Sequence, residues 1–157
     1  MEKIKEIEVI FDFKANAQTE MNGKNGARLG MAQMIGLVFS GGGSYDGYKV
    51  VTEEHEYLLL ISNGQSCCES WGYFASEDNF SEYIGSELLG VKFTDVALNT
   101  KALEESGYYQ GDGGIQFVDF ETDRGVIQFA VYNGHNGYYG HDIVFAKDNK
   151  ILLSDVL

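Results

Sequence analysis

Apolar and polar residues alternate along much of this chain with the two-residue period of half-buried strands. Residues 4–14 set the pattern: Ile7, Val9, Phe11 and Phe13 fall on one face, and Glu6, Glu8 and Asp12 on the other. Residues 15–30 are polar and glycine-rich, with Asn22-Gly23 and Asn25-Gly26 as turn signals, and read as a loop. That loop divides residues 1–30, an extension made of one strand and the loop, from a single β-rich domain over 31–157. The apolar run 31–39 suits a short helix running into a strand. Glycines from Gly41 to Gly47 then interrupt, and Gly42–Lys49 reads as a flexible connection. Lys49–Ser62 predicts a strand or a bent pair, closed by a turn at Asn63-Gly64, and Tyr73-Phe74 a short strand. Asp78–Ser86 predicts a short helix capped by Ser76 or Asp78, and Thr100–Ser106 a second one ended by Gly107. Strands follow over 87–98, 115–121 and 126–132, the last two joined by the hairpin signal Thr122-Asp123-Arg124-Gly125. Residues 143–146 and 151–156 add a final pair around Asp148-Asn149. Seven or eight strands against two short helices are too few helices for a doubly wound sheet. The expectation is an α+β fold, mostly β: a strongly twisted or barrel-like, largely antiparallel sheet with one or two short helices.

Composition supports a packed domain. A chain of 157 residues with ten Phe, ten Tyr and Trp71 has ample bulk to bury. Charge narrows the partners. Twenty-four acids face eleven bases, for a net charge of −13, and Arg28 and Arg124 are the only arginines. Direct nucleic-acid binding needs Lys and Arg against phosphate, and an anionic membrane surface repels the same excess of acid. Both are excluded as expectations; the acidity reads first as a means of solubility, and as the sharper alternative as a surface for a basic partner. No apolar stretch resembles a signal peptide or a membrane-spanning helix, so a cytoplasmic location is expected. Cys67 and Cys68 are adjacent, which disfavours a disulfide between them and fits a reducing compartment.

Two segments concentrate the rarer chemistry. The first runs from Asn63 to Trp71 and holds Cys67, Cys68 and Glu69. A reactive thiolate needs a cation or base beside it, and Glu69 has the opposite sign. Zinc sites space their cysteines, and these two are contiguous. Packing of one cysteine as a small hydrophobe is the plainer reading. The second segment, Asn133 to His141, holds His135, Asn136, Tyr138, Tyr139 and His141. His135 and His141 would complete a metal site with Cys67 or Cys68, or one of them would serve a catalytic cysteine. The alternative is a tight turn in which Gly and Asn take positive φ. Gly42 and Gly47 carry the spacing of a phosphate loop, but Tyr48 stands where the lysine is required. No cofactor is implied. Acids such as Glu53, Glu54, Glu56, Glu77, Asp78, Glu82, Glu87, Glu104 and Glu105 read as a solvated face.

The run Asn63-Gly64-Gln65-Ser66-Cys67-Cys68-Glu69, then Tyr83-Ile84-Gly85-Ser86-Glu87-Leu88, then His135-Asn136-Gly137-Tyr138-Tyr139-Gly140, resembles a family of phage and bacterial proteins of unknown function. Its members share a Gly-Gln-x-Cys-Cys-Glu run and a late Asn-Gly-Tyr-Tyr. The resemblance spans residues 35–147 and implies a phage or mobile-element setting. Three functions are then open: a non-enzymatic binder or inhibitor of a basic host protein, such as a CRISPR-type defence nuclease; a metal- or thiol-dependent enzyme built on Cys67 or Cys68 with His135 or His141; and a sponge for a signal nucleotide. The first is the leading expectation, with Cys67, Cys68, Glu69, Trp71, His135, Asn136, Tyr138 and Tyr139 as its candidate functional segment.

Overall fold

The computed structural model describes residues 2–15, 43–64, 69–109, 111, 113–135, 137, 140–148 and 150–157. The expected loop at 15–30, nearly all of it, and the apolar run 31–39 lie outside these residues, as do Cys67, Cys68, Asn136, Tyr138 and Tyr139.

Among the described residues there are nine strands: β1 (Ile4–Ala15), β2 (Gly43–Thr52), β3 (Glu56–Ser62), β4 (Ser70–Ala75), β5 (Leu88–Thr94), β6 (Gly114–Thr122), β7 (Gly125–Gly134), β8 (Asp142–Lys147) and β9 (Lys150–Val156). One α-helix, α1 (Thr100–Glu105), lies between β5 and β6. The strands form two antiparallel sheets, ordered β1-β2-β3-β8-β9 and β4-β7-β6-β5. The mostly β, antiparallel expectation holds, with two facing sheets rather than one closed into a barrel.

The sheets meet through one core. Tyr48, Val50, Tyr57, Leu59, Ile61, Ile143 and Phe145 from the first sheet pack against Val118, Phe120, Ile127, Phe129 and Val131 from the second. Aromatic contacts tie the layers edge to face, with Tyr57 5.4 Å and Phe145 6.3 Å from Phe120 between ring centroids. Each such side chain taken from water stabilises the fold by roughly 1.5–3 kcal/mol. β3 is buried on both faces: Leu58 and Leu60 point away from the core into a second cluster with Ile10, Phe13, Tyr45, Val144 and Ala146. On the far side of the second sheet, Tyr132 donates from its hydroxyl to the Ser106 carbonyl at 2.7 Å, anchoring the end of α1.

Local chemistry explains the connections and three departures from expectation. The Thr122–Gly125 hairpin and the pairing of β8 with β9 form where the sequence places turn residues, and Asp148 adopts φ 55°. Residues 43–49 are strand and not a flexible connection. β2 lies between β1 and β3, and ladder hydrogen bonds on both sides override its glycines. Gly47 serves close approach, since a Cβ there would lie 1.9 Å from the Leu59 carbonyl oxygen. The helix expected over 78–86 shrinks to a single 3-10 turn, Ser81–Tyr83, with Asn79 accepting from the Ser81 amide in place of Ser76 or Asp78. Gly85, at φ 86°, turns the chain so that Ile4 and residues 85–86 exchange backbone hydrogen bonds. The third departure is in β1, whose apolar stripe does not share one face. A bulge between Ile10 and Phe13, with Asp12 at φ 54°, changes the phase of the strand. Ile10 and Phe13 are buried, and Phe11 is 70% exposed.

Candidate functional site

The two segments singled out in the sequence do meet. β3 and β8 pair through Ile61 and Ile143, which sets Ser62 beside His141. β4 pairs with β7 through Ser70 and Gly134, bringing Glu69, just ahead of β4, to the same end of the molecule. There His141 and Glu69 form an ion pair at 2.9 Å between Nε2 and Oε2, with side chains only 3% and 1% exposed. Trp71 stacks on the imidazole at 5.1 Å between ring centroids, inclined by 25°. The Ser62 hydroxyl lies 3.2 Å from His141 Nδ1, and the same nitrogen faces the Ser62 carbonyl.

A serine, a histidine and a carboxylate in a row suggest a nucleophile with its base. The hydrogen bonding assigns a different role. Nδ1 faces the Ser62 carbonyl, an acceptor, and Nε2 faces the Glu69 carboxylate, so the nitrogen beside the Ser62 hydroxyl is engaged as a donor and offers no lone pair to take a serine proton. The Ser62 oxygen meanwhile accepts from the Asp142 amide at 3.1 Å. The cluster is a buried, hydrogen-bonded staple joining three chain segments. Beside it, burial raises the Asp142 carboxyl above its ordinary range, and the His141 charge partly offsets this.

His135 does not join that cluster. It is buried at the end of β7, where its Nδ1 accepts from the Gly137 amide at 2.9 Å. The expected metal set of His135, His141, Cys67 and Cys68 therefore has its two histidines with separate partners, and its cysteines outside the described residues.

A more accessible site lies where β4 runs into the segment packed on α1. A groove of about 370 Å³ is lined by the aromatic side chains Tyr48, Phe74 and Phe80 together with Glu77, Asp78 and Glu105. An adjoining cavity of about 210 Å³ shares the three acids and adds Lys101. Glu77 is held by the Tyr83 hydroxyl at 2.9 Å, and Lys101 sits 3.8 Å from Glu105 one turn along α1. Asn99 caps that helix, accepting from the Ala102 amide at 3.1 Å and donating to the Ser76 carbonyl at 2.9 Å. The cap thereby ties α1 to the end of β4 and fixes the two walls of the groove. The sequence places Glu77, Asp78 and Glu105 on a solvated face; only the fold shows that they share one groove with aromatic rings.

Compared with known proteins, the chain matches one family model over residues 3–145, that of a domain of unknown function, DUF7448. No curated protein and no solved structure matches it. The matched region takes in β1 as well as both segments singled out in the sequence.

Proposed function

Since this chain belongs to the DUF7448 family of domains of unknown function, we propose a function from its own geometry: it is a non-enzymatic binding module for a protein with a basic surface. The observation that carries the reading is the groove lined jointly by Glu77, Asp78 and Glu105 and by Tyr48, Phe74 and Phe80. Carboxylates and aromatic rings in one groove suit an arginine or lysine side chain, which gains ion pairing and cation–π attraction together. The net charge of −13 adds long-range steering toward such a partner. Proteins that handle nucleic acids carry basic surfaces. The motif resemblance to phage proteins makes a host defence nuclease of the CRISPR type our proposed partner class, with the complex formed in the cytoplasm. A signal-nucleotide sponge is disfavoured at this groove, whose acids repel phosphate.

The test is binding of an arginine-rich peptide, followed by calorimetry at low and high salt. The wild-type protein is expected to bind and to weaken steeply with salt. The variant carrying Glu77→Gln, Asp78→Asn and Glu105→Gln should bind at least about tenfold more weakly, since each charged contact contributes on the order of 1 kcal/mol. Equal binding by the two proteins removes the groove from the proposal.

A further inference from the structure

The third histidine, His55, lies in the β2–β3 turn, and its surroundings assemble residues from three distant parts of the chain. The turn is built by Thr52, whose hydroxyl oxygen accepts from the Glu54 and His55 amides at 3.3 and 2.9 Å. Glu2 reaches this turn from ahead of β1, and its carboxylate takes a hydrogen bond from the Thr52 hydroxyl and another from Tyr57 at 3.3 Å. Asp148, in the β8–β9 turn, receives His55 Nδ1 at 2.7 Å and the Glu56 amide at 2.9 Å. One donor atom from each of Glu2, Glu54 and His55 lies within 4.8 Å of those of the other two.

We propose that Glu2, Glu54 and His55 form a binding site for a divalent transition-metal ion of the Mn²⁺ or Fe²⁺ kind. The donor set is one imidazole nitrogen and two carboxylate oxygens, which suits these ions better than the all-oxygen cages preferred by calcium. Asp148 engages Nδ1, so Nε2 would be the nitrogen that coordinates in the proposed site, as in the carboxylate–histidine–metal relay that orients metal-binding histidines. Thr52 and Tyr57 do the same for Glu2. Glu2 also lines a cleft of about 340 Å³ whose walls include Leu89, Phe93 and Leu152. Three protein ligands leave coordination positions open, so the ion would stand beside an apolar cleft able to hold a ligand of its own. The inference is independent of the acidic groove, which lies elsewhere on the molecule and shares none of these residues.

The test uses the full chain, stripped with chelator and titrated with MnCl₂, with the free-ion electron paramagnetic resonance signal as readout. Mn²⁺ is chosen because thiolates such as Cys67 and Cys68 do not favour it. One ion should bind tightly. Glu54→Gln, at an exposed side chain, should weaken it at least about tenfold, and Asp148→Asn by a comparable factor through the imidazole. Circular dichroism verifies folding, and if Asp148→Asn unfolds the chain, Glu54→Gln alone decides. Weak binding of several ions, or tight binding that Glu54→Gln leaves unchanged, overturns the proposal.

Discussion

The staple of Glu69 and His141 shows how much a single buried contact can carry. Both side chains are almost fully enclosed, so removing one partner leaves the other buried without it. Glu69→Ala is expected to lower unfolding stability by about 3–5 kcal/mol in urea denaturation, the cost typical of a broken buried pair. Trp71, the only tryptophan, reports on the same place through its stacking with the imidazole. His141→Gln should therefore change the tryptophan emission of the folded protein before any unfolding begins. Asp142 supplies a test with the opposite sign. Its folded carboxyl lies above the ordinary value of 3.8, so the folded state holds that proton more tightly than the unfolded chain does. The resulting penalty is absent below 3.8 and complete once pH passes the raised value. Asp142→Asn should accordingly stabilise the protein at pH 7 and leave it unchanged near pH 3, as thermal melts at the two pH values would show. The sequence exposed Glu69, Trp71 and His141 as unusual residues, but 72 positions separate the ion pair, and only strand pairing closes that gap. His55 escaped notice because an isolated histidine in a turn carries no spacing signal, and its neighbours Glu2 and Asp148 come from the two far ends of the chain.

Among the elements, hairpins were the most legible, because their turns are written in contiguous residues. Thr122 even closes its own hairpin, donating from its hydroxyl to the Gly125 carbonyl at 2.7 Å. β2 was the least legible. Its glycines read as a break, whereas position 47 needs glycine because a neighbouring backbone crosses there. Gly47→Ala is expected to destabilise by at least about 1–3 kcal/mol, since the strand must shift away from β3, and chemical denaturation measures this directly. The same strand holds a buried lysine: Lys49 reaches Glu6 at 3.4 Å and Glu8 at 2.6 Å, so the polar face read in β1 is partly an ion-pairing surface for β2. The 78–86 segment has helical composition, but backbone pairing to Ile4 claims its second half. Tertiary contacts of this kind leave no local trace.

At the scale of the whole molecule, the tyrosines act together. Tyr73 and Tyr83 are pushed up to about 12, chiefly by burial and then by the carboxylates of Asp46 and Glu77. Tyr45, Tyr48, Tyr57 and Tyr132 are raised as well, with burial the leading cause. Each resists ionisation when folded and ionises near 10 when unfolded. Their contribution is complete below pH 10 and is lost as pH climbs above 10 through the raised folded values. Absorbance at the phenolate band should show these groups ionising late and together with unfolding, rather than one by one near pH 10. Pairings such as Tyr57 with Lys147 join distant segments, so refolding should fall among the slower, non-local topologies. Among the described residues β1 is the outer strand of its sheet. An outer strand with an unbroken ladder invites another chain to extend it. The Asp12 bulge interrupts that ladder, and Asp12 and Asp46 are drawn together around the Asn63 amide at 2.8 and 2.9 Å. A kink so placed denies a second molecule a straight template, and the residue that spoils the periodicity of the first strand thereby makes this one edge a poorer seed for fibre growth.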